Sequence, residues 1–194
     1  MAKTAKFNRQ EVIDIATNLY WKKGFHATSM RNLQDEIDMR PGSIYAAFGS
    51  KDALFKETLK NYTDMGIEQL QHLAAQHLSP IDALKAFVKA QVIDTQTDAP
   101  NGVCMLSKTL SELTEENQTL IEVTKACLGE IANEMIALIE KAKALGEINK
   151  NKDSQELTQH VQIQIAGLRT FAKINSDKKL LDTKIEAIFN HYPF

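Results

Sequence analysis

From Val12 to Phe189 the apolar residues recur three and four positions apart, and this regularity limits the fold more than anything else in the chain. A side-chain period near 3.6 belongs to a helix with one buried face; a half-buried strand needs alternation. Proline and glycine number only four and eight in 194 residues, and no β-branched alternating run lies between turn signals. The expected class is all-α, with about nine helices and no internal repeat.

The punctuation divides the chain. Asn8 is a good N-cap with Glu11 three residues on, and the helix that follows carries Val12, Ala16, Leu19 and Tyr20 to Gly24. Thr28 or Ser29 caps a short helix with Met30, Leu33 and Ile37 inward. A third begins near Pro41, whose missing N–H costs nothing in a first turn, and turns Ile44 and Phe48 inward. Ser50 caps a long helix ending before Ser79-Pro80, and Pro80 opens the next, with Leu84, Phe87, Val88 and Val92. Thr95–Gly102 reads as a loop, Cys104–Leu113 as a short helix, and Leu120–Ala142 as a long one stopped by Gly146. Two final helices are expected at about 154–174 and 177–191.

Several functions are disfavoured. The longest apolar run, Met135–Ile139, is five residues, far short of the ~20 that span a bilayer. Met1–Phe7 lacks the apolar core of a secretory signal, so a cytoplasmic protein is expected. Cys104 and Cys127 are 23 apart without a CxxC, and a disulfide is not expected in a reducing compartment. His72 and His77 are five apart, which places them on different faces of a helix. HExxH, a Gly-rich phosphate loop and GxSxG are all absent, so no metal and no cofactor are expected. An all-α enzyme or carrier remains the rival from another class.

Charge is distributed unevenly. Residues 1–62 hold ten Lys/Arg against seven Asp/Glu, net +3, whereas residues 63–194 hold thirteen against eighteen, net −5. Arg9, Arg31 and Arg40 lie in the basic part. A basic end on an acidic body implies that one end meets a polyanion. Within it, two short helices joined by Asp38-Met39-Arg40 have the layout of a helix-turn-helix, whose second helix offers its N-terminal side chains to base edges in the major groove.

Two stretches are more specific: Gly24-Phe25-His26-Ala27-Thr28-Ser29-Met30, and Arg40-Pro41-Gly42-Ser43-Ile44-Tyr45-Ala46-Ala47-Phe48-Gly49-Ser50-Lys51-Asp52-Ala53-Leu54. In order and spacing they resemble the DNA-binding domain of the TetR/AcrR family of bacterial transcriptional regulators, over roughly residues 8–60. The resemblance implies a DNA-binding domain at 1–50 and an effector-binding and dimerisation domain at 51–194. With the residue chemistry, it also implies contacts to double-stranded DNA. Tyr45 and Lys51 would reach phosphates, and Thr28 and Ser29 would cap and touch the backbone. Arg40, Pro41, Gly42 and Ser43 would meet base edges, with Arg40 holding either a guanine or a phosphate. Many relatives have histidine where this chain has Ala47, so one phosphate contact is expected to be missing.

The resemblance further implies a homodimer through the last two helices, with Ile165-Ala166-Gly167-Leu168 giving close approach, and a pseudo-palindromic operator. The expected activity is a repressor released by a small-molecule inducer. Met65, Phe87, Met105, Met135, His160 and Phe171 are candidate pocket residues, each also readable as ordinary packing. Cys104, at an expected helix start, is a further candidate. An amide dipole there activates a thiol, with Lys108 one turn on to help, which gives an oxidant- or electrophile-sensing alternative. Val103 separates Cys104 from Gly102, where similar regulators have glycine and cysteine adjacent. Cys127 reads as packing.

Overall fold

A computed structural model describes residues 8–94, 102–191 and 193–194. Among these there are nine α-helices and no strand. The Asn8 side chain accepts the N–H groups of Gln10 and Glu11 and opens α1 (Arg9–Lys23), which stops at Gly24 with φ +90°. Ser29, not Thr28, caps α2 (Met30–Ile37): its Oγ accepts the Asn32 N–H at 3.1 Å while Asn32 Oδ1 accepts the Ser29 N–H at 3.0 Å. Asp38 turns the chain in the left-handed region, and Pro41 opens α3 (Pro41–Phe48).

Ser50 caps α4 (Lys51–Gln76) and Ser79 caps α5 (Pro80–Lys89), which widens into a π-helical turn at Ala90–Asp94. Most of the loop expected at Thr95–Gly102 lies outside the described residues. There follow α6 (Met105–Glu112), a 3₁₀ turn (Glu115–Asn117), α7 (Gln118–Ala144), α8 (Ser154–Ala172) and α9 (Lys178–Asn190).

Two cores organise these helices. The first joins Ala16, Leu19 and Tyr20 of α1 with Leu33, Ile44 and Phe48 of α2 and α3. Leu54, Phe55 and Leu59 of α4, and Met105, Leu106, Leu120 and Cys127 complete it. The second joins Leu70, Leu84, Phe87, Val88 and Val92 with Met135, Leu138 and Ile139 of α7, then Leu157, Val161, Leu181, Ile185 and Ile188. Ile131 packs against both. Each fully buried large apolar side chain contributes about 1.5–3 kcal/mol, so α4 and α7, which run through both cores, tie the two halves together. A boundary at residue 50 therefore separates helices but not cores.

Candidate nucleic-acid interface

The α3 helix is short but firmly seated. Ile44 (1% exposed) and Phe48 turn into the first core beside Leu33, which leaves the opposite face to solvent. Arg40, Pro41, Gly42, Ser43, Tyr45 and Ala46 are all exposed along it. A side chain added at Gly42 would meet nothing within 4 Å, so this part of the helix stands clear of the body. A rigid helix with a bare N-terminal half is what a groove 12 Å wide admits.

The flanking residues divide. Ser29 is exposed, whereas Thr28 is fully buried, its hydroxyl donating to the Gly24 carbonyl at 2.6 Å. The expected cap and backbone contact from Thr28 is therefore replaced by an internal turn bond. Lys51 is half-buried; its Nζ donates to the Phe25 carbonyl at 2.7 Å and lies 4.2 Å from the Phe25 ring centre. Burial lowers its pKa below the usual lysine range, against the pull of Asp52 and Glu112. Arg9 is likewise committed inside the domain: it donates to the Ala47 carbonyl (2.8 Å), pairs with Glu57 (2.5 Å) and covers the Phe48 ring. Of the three N-terminal arginines, Arg31 and Arg40 remain turned to solvent.

Behind this surface, α6 grips the end of α1 at several points. Glu112 accepts the N–H groups of Phe25 (3.1 Å) and His26 (2.5 Å), and Lys108 Nζ donates to the Trp21 and Lys22 carbonyls at 3.1 and 2.7 Å. Trp21 Nε1 returns a bond to the Val103 carbonyl at 2.6 Å. Lys108 is thus turned to α1 carbonyls rather than serving Cys104, the thiol expected to use it. Sequence reading missed Glu112, since an acid at the end of a short helix carries no signal of a partner 86 residues away.

The candidate effector residues do not converge on one cavity. Met105 is in the first core and Phe87 and Met135 are in the second, each at most 2% exposed. Met65 is 53% exposed and borders a recess of about 70 Å³ with Trp21 and Tyr62. Phe171 packs on the second core, and the His160 ring lies 6.2 Å from that of Phe194. A shallow groove of about 350 Å³ between the ends of α4 and α7 holds none of them. Cys104 is half-buried just before α6 and lies near Tyr62, which is also near Arg169. Arg169 was missed, although it takes the place an apolar residue would fill in the four-residue series Leu157, Val161, Ile165.

Comparison with known proteins decides the family. Residues 12–58 match the family described as "Bacterial regulatory proteins, tetR family", and residues 80–188 match "Tetracyclin repressor-like, C-terminal domain". The chain belongs to the TetR family. It is a DNA-binding transcriptional regulator of that family. It is 23% identical to the Escherichia coli (strain K12) HTH-type transcriptional repressor ComR over 176 residues, 86% of this chain and 80% of that one. A shorter match, 40% over 57 residues, joins it to the repressor BdcR of the same organism, 29% of either chain. Among solved structures it superposes on the TetR-family regulator CifR, a cysteine mutant complexed with 26-base-pair operator DNA (TM-score 0.86, 23% identity, 98% of this chain and 100% of that one). It also superposes on FadR of Bacillus subtilis in complex with stearoyl-CoA (TM-score 0.76, 16% identity, 94% and 96%). Among the described residues, no helix is long and apolar enough to cross a membrane.

Proposed function

We propose that this TetR-family protein is a cytoplasmic homodimeric repressor that binds a pseudo-palindromic operator and leaves it when a small molecule occupies its C-terminal domain. The observation that carries the reading is the bare face of α3 backed by a seated core. Arg40, Pro41, Gly42 and Ser43 would approach base edges, and Tyr45 and Ser29 would hold phosphates. Lys51 contributes in two ways: it pins the α1–α2 turn through Phe25, and its remaining N–H groups add positive charge beside a phosphate.

Dimerisation is supported by α8, where Ile163 (69% exposed), Ala166, Gly167 and Thr170, continued just past the helix end by Ile174 (84% exposed), form an exposed, mostly apolar row. Two such rows related by a two-fold axis, with α9 beside each, bury one another. Lys89 fixes α9 to α5 through Asp182 (2.8 Å) and Glu186 (3.1 Å).

The α6 clamp on α1 is the proposed link between the halves. A ligand that prefers the conformation with α6 shifted moves the α1–α2 turn and changes the separation of the two α3 helices. The alternative trigger, covalent modification of Cys104, draws on its half-buried place at the same segment, and Cys104→Ser would abolish a response of that kind. The test of the main reading is selection of the purified protein on random duplex DNA at ~150 mM salt, where phosphate contacts are already well screened. Recovery of one palindrome is expected; absence of enrichment would sink the reading.

A further inference from the structure

Arg169 is 4% exposed, yet two of its three nitrogens, Nε and Nη2, have no hydrogen-bond partner among the described residues. The third, Nη1, donates to Gln91 Oε1 at 3.2 Å. Among the described residues no carboxylate forms an ion pair with it. A buried guanidinium left in this way is costly, because the low-dielectric interior returns none of the lost hydration. The free edge has a specific shape. Nε–H and Nη2–H point the same way, spaced to meet the two oxygens of one carboxylate.

Its neighbours describe the rest of the place. Gln91 belongs to the π-helical turn that follows α5, and π turns of this kind recur at functional sites. Gln91 is itself held by Gln69, whose Oε1 accepts its Nε2 at 2.8 Å. Tyr62 of α4 lies close enough to feel both Cys104 and Arg169: burial raises the phenol's pKa above the usual range, Cys104 adds to the rise and Arg169 opposes it. The group therefore stands where α4, α8, the π turn and the start of α6 meet. Tyr62 and Cys104 border the first core, whereas Val92 of the π turn and Ile165 and Leu168 of α8 belong with the second. A seam between two apolar cores, carrying one positive charge that no carboxylate among the described residues meets, matches a molecule with one negative charge and an apolar body.

We infer that Arg169 is an effector site for a monocarboxylic acid, its carboxylate received side-on by Nε and Nη2 and its apolar part lodged along the seam between the two cores. A dianionic phosphate is a poorer match for the one two-pronged edge that Nε and Nη2 offer. The inference rests on the effector-responsive reading above and gives that effector a chemical class. Its position against Tyr62, which also neighbours Cys104, lets occupancy bear on the segment entering α6, and through Glu112 and Lys108 on α1.

The test uses the purified full chain with octanoate, benzoate and phenylacetate, each paired with its primary amide. Thermal unfolding and calorimetric titration give affinities. At least one acid is expected to bind about tenfold or more tightly than its amide, because the amide loses the charge-assisted pair. Arg169→Met is expected to lose that acid's binding while unfolding at the same or a higher temperature, and Arg169→Lys to retain only part of it, having the charge without the fork. Equal binding of acid and amide, an undiminished response in Arg169→Met, or no binding by any of the three acids would overturn the inference. Operator selection reports separately on the regulator reading. A recovered palindrome with Arg169-independent ligand binding overturns only the carboxylate site, whereas Arg169-dependent binding without a palindrome upholds the site and overturns the repressor reading.

Discussion

The carboxylate of Glu112 accepts the backbone N–H of His26 at 2.5 Å, joining the last turn of α6 to the turn that starts the helix-turn-helix. The same carboxylate takes the Phe25 N–H, so one side chain satisfies two amides that would otherwise follow the end of α1 unpaired.

Glu112→Ala is expected to lower stability by about 1–3 kcal/mol, since hydrogen bonds to a charged group are lost and two amides are released. For a chain of this size that is a fall of about 2–12 °C in the unfolding midpoint. An unchanged midpoint would show that the clamp is not a stabilising contact.

Gly24→Ala tests the same joint from the other side. At φ +90° a side chain is strained, and its Cβ would stand 2.2 Å from Glu112 Oε2, so the carboxylate has to leave. The variant is expected to cost more than Glu112→Ala. Combining the two should cost less than their sum by about 0.5–3 kcal/mol, because both break one contact. Strict additivity in a double-mutant cycle would contradict this.

Arg40→Ala is expected to weaken operator binding by about 1–3 kcal/mol and to relax preference at one base in each half-site. Competition between the selected operator and point variants of it checks this. An equal loss on every sequence would assign Arg40 to a phosphate instead.

Lys51→Met is expected to affect folding and DNA binding together. Losing the bond to the Phe25 carbonyl and the contact with its ring lowers stability by about 1 kcal/mol, or roughly 2–4 °C. Operator affinity should fall evenly across sequences, with the salt slope shallower by about one. A drop in affinity with no change in midpoint would leave the lysine a phosphate contact alone.

Ile163→Arg combined with Ile174→Arg places two charges on the exposed row that runs along α8 and just past its end. Sedimentation is expected to show a monomer with unchanged helix content, because neither side chain is in a core of the folded chain. A persistent dimer would move the interface elsewhere.

The periodic runs of α1, α4, α7 and α8 made the helical class readable, since a buried stripe every 3.6 residues is a local property of sequence. Ser50, Ser79, Pro41 and Gly24 marked ends for equally local reasons of hydrogen bonding and backbone freedom. The motif from Arg40 to Leu54 was legible because its order alone carries the resemblance, and α3 does place Arg40, Gly42, Ser43 and Tyr45 on one open face.

The partners of charged side chains were not legible. Nothing local says that Arg9 and Lys51, counted as surface charge, are held by Ala47, Glu57 and Phe25, or that Lys108 and Glu112 reach back to α1. Met105, Phe87 and Met135, offered as pocket residues, went into two separate cores, because an apolar side chain obeys the same rule in either setting. Amino-acid order thus determined the helices, their ends and the exposed face of α3, all of which depend on neighbours within a turn or two. Tertiary structure alone decided where the charges went, and with them the grip of α6 on α1 and the burial of Arg169. Long flexible cations and acids find partners through space, and burial at a meeting of four elements is not written in any one of them.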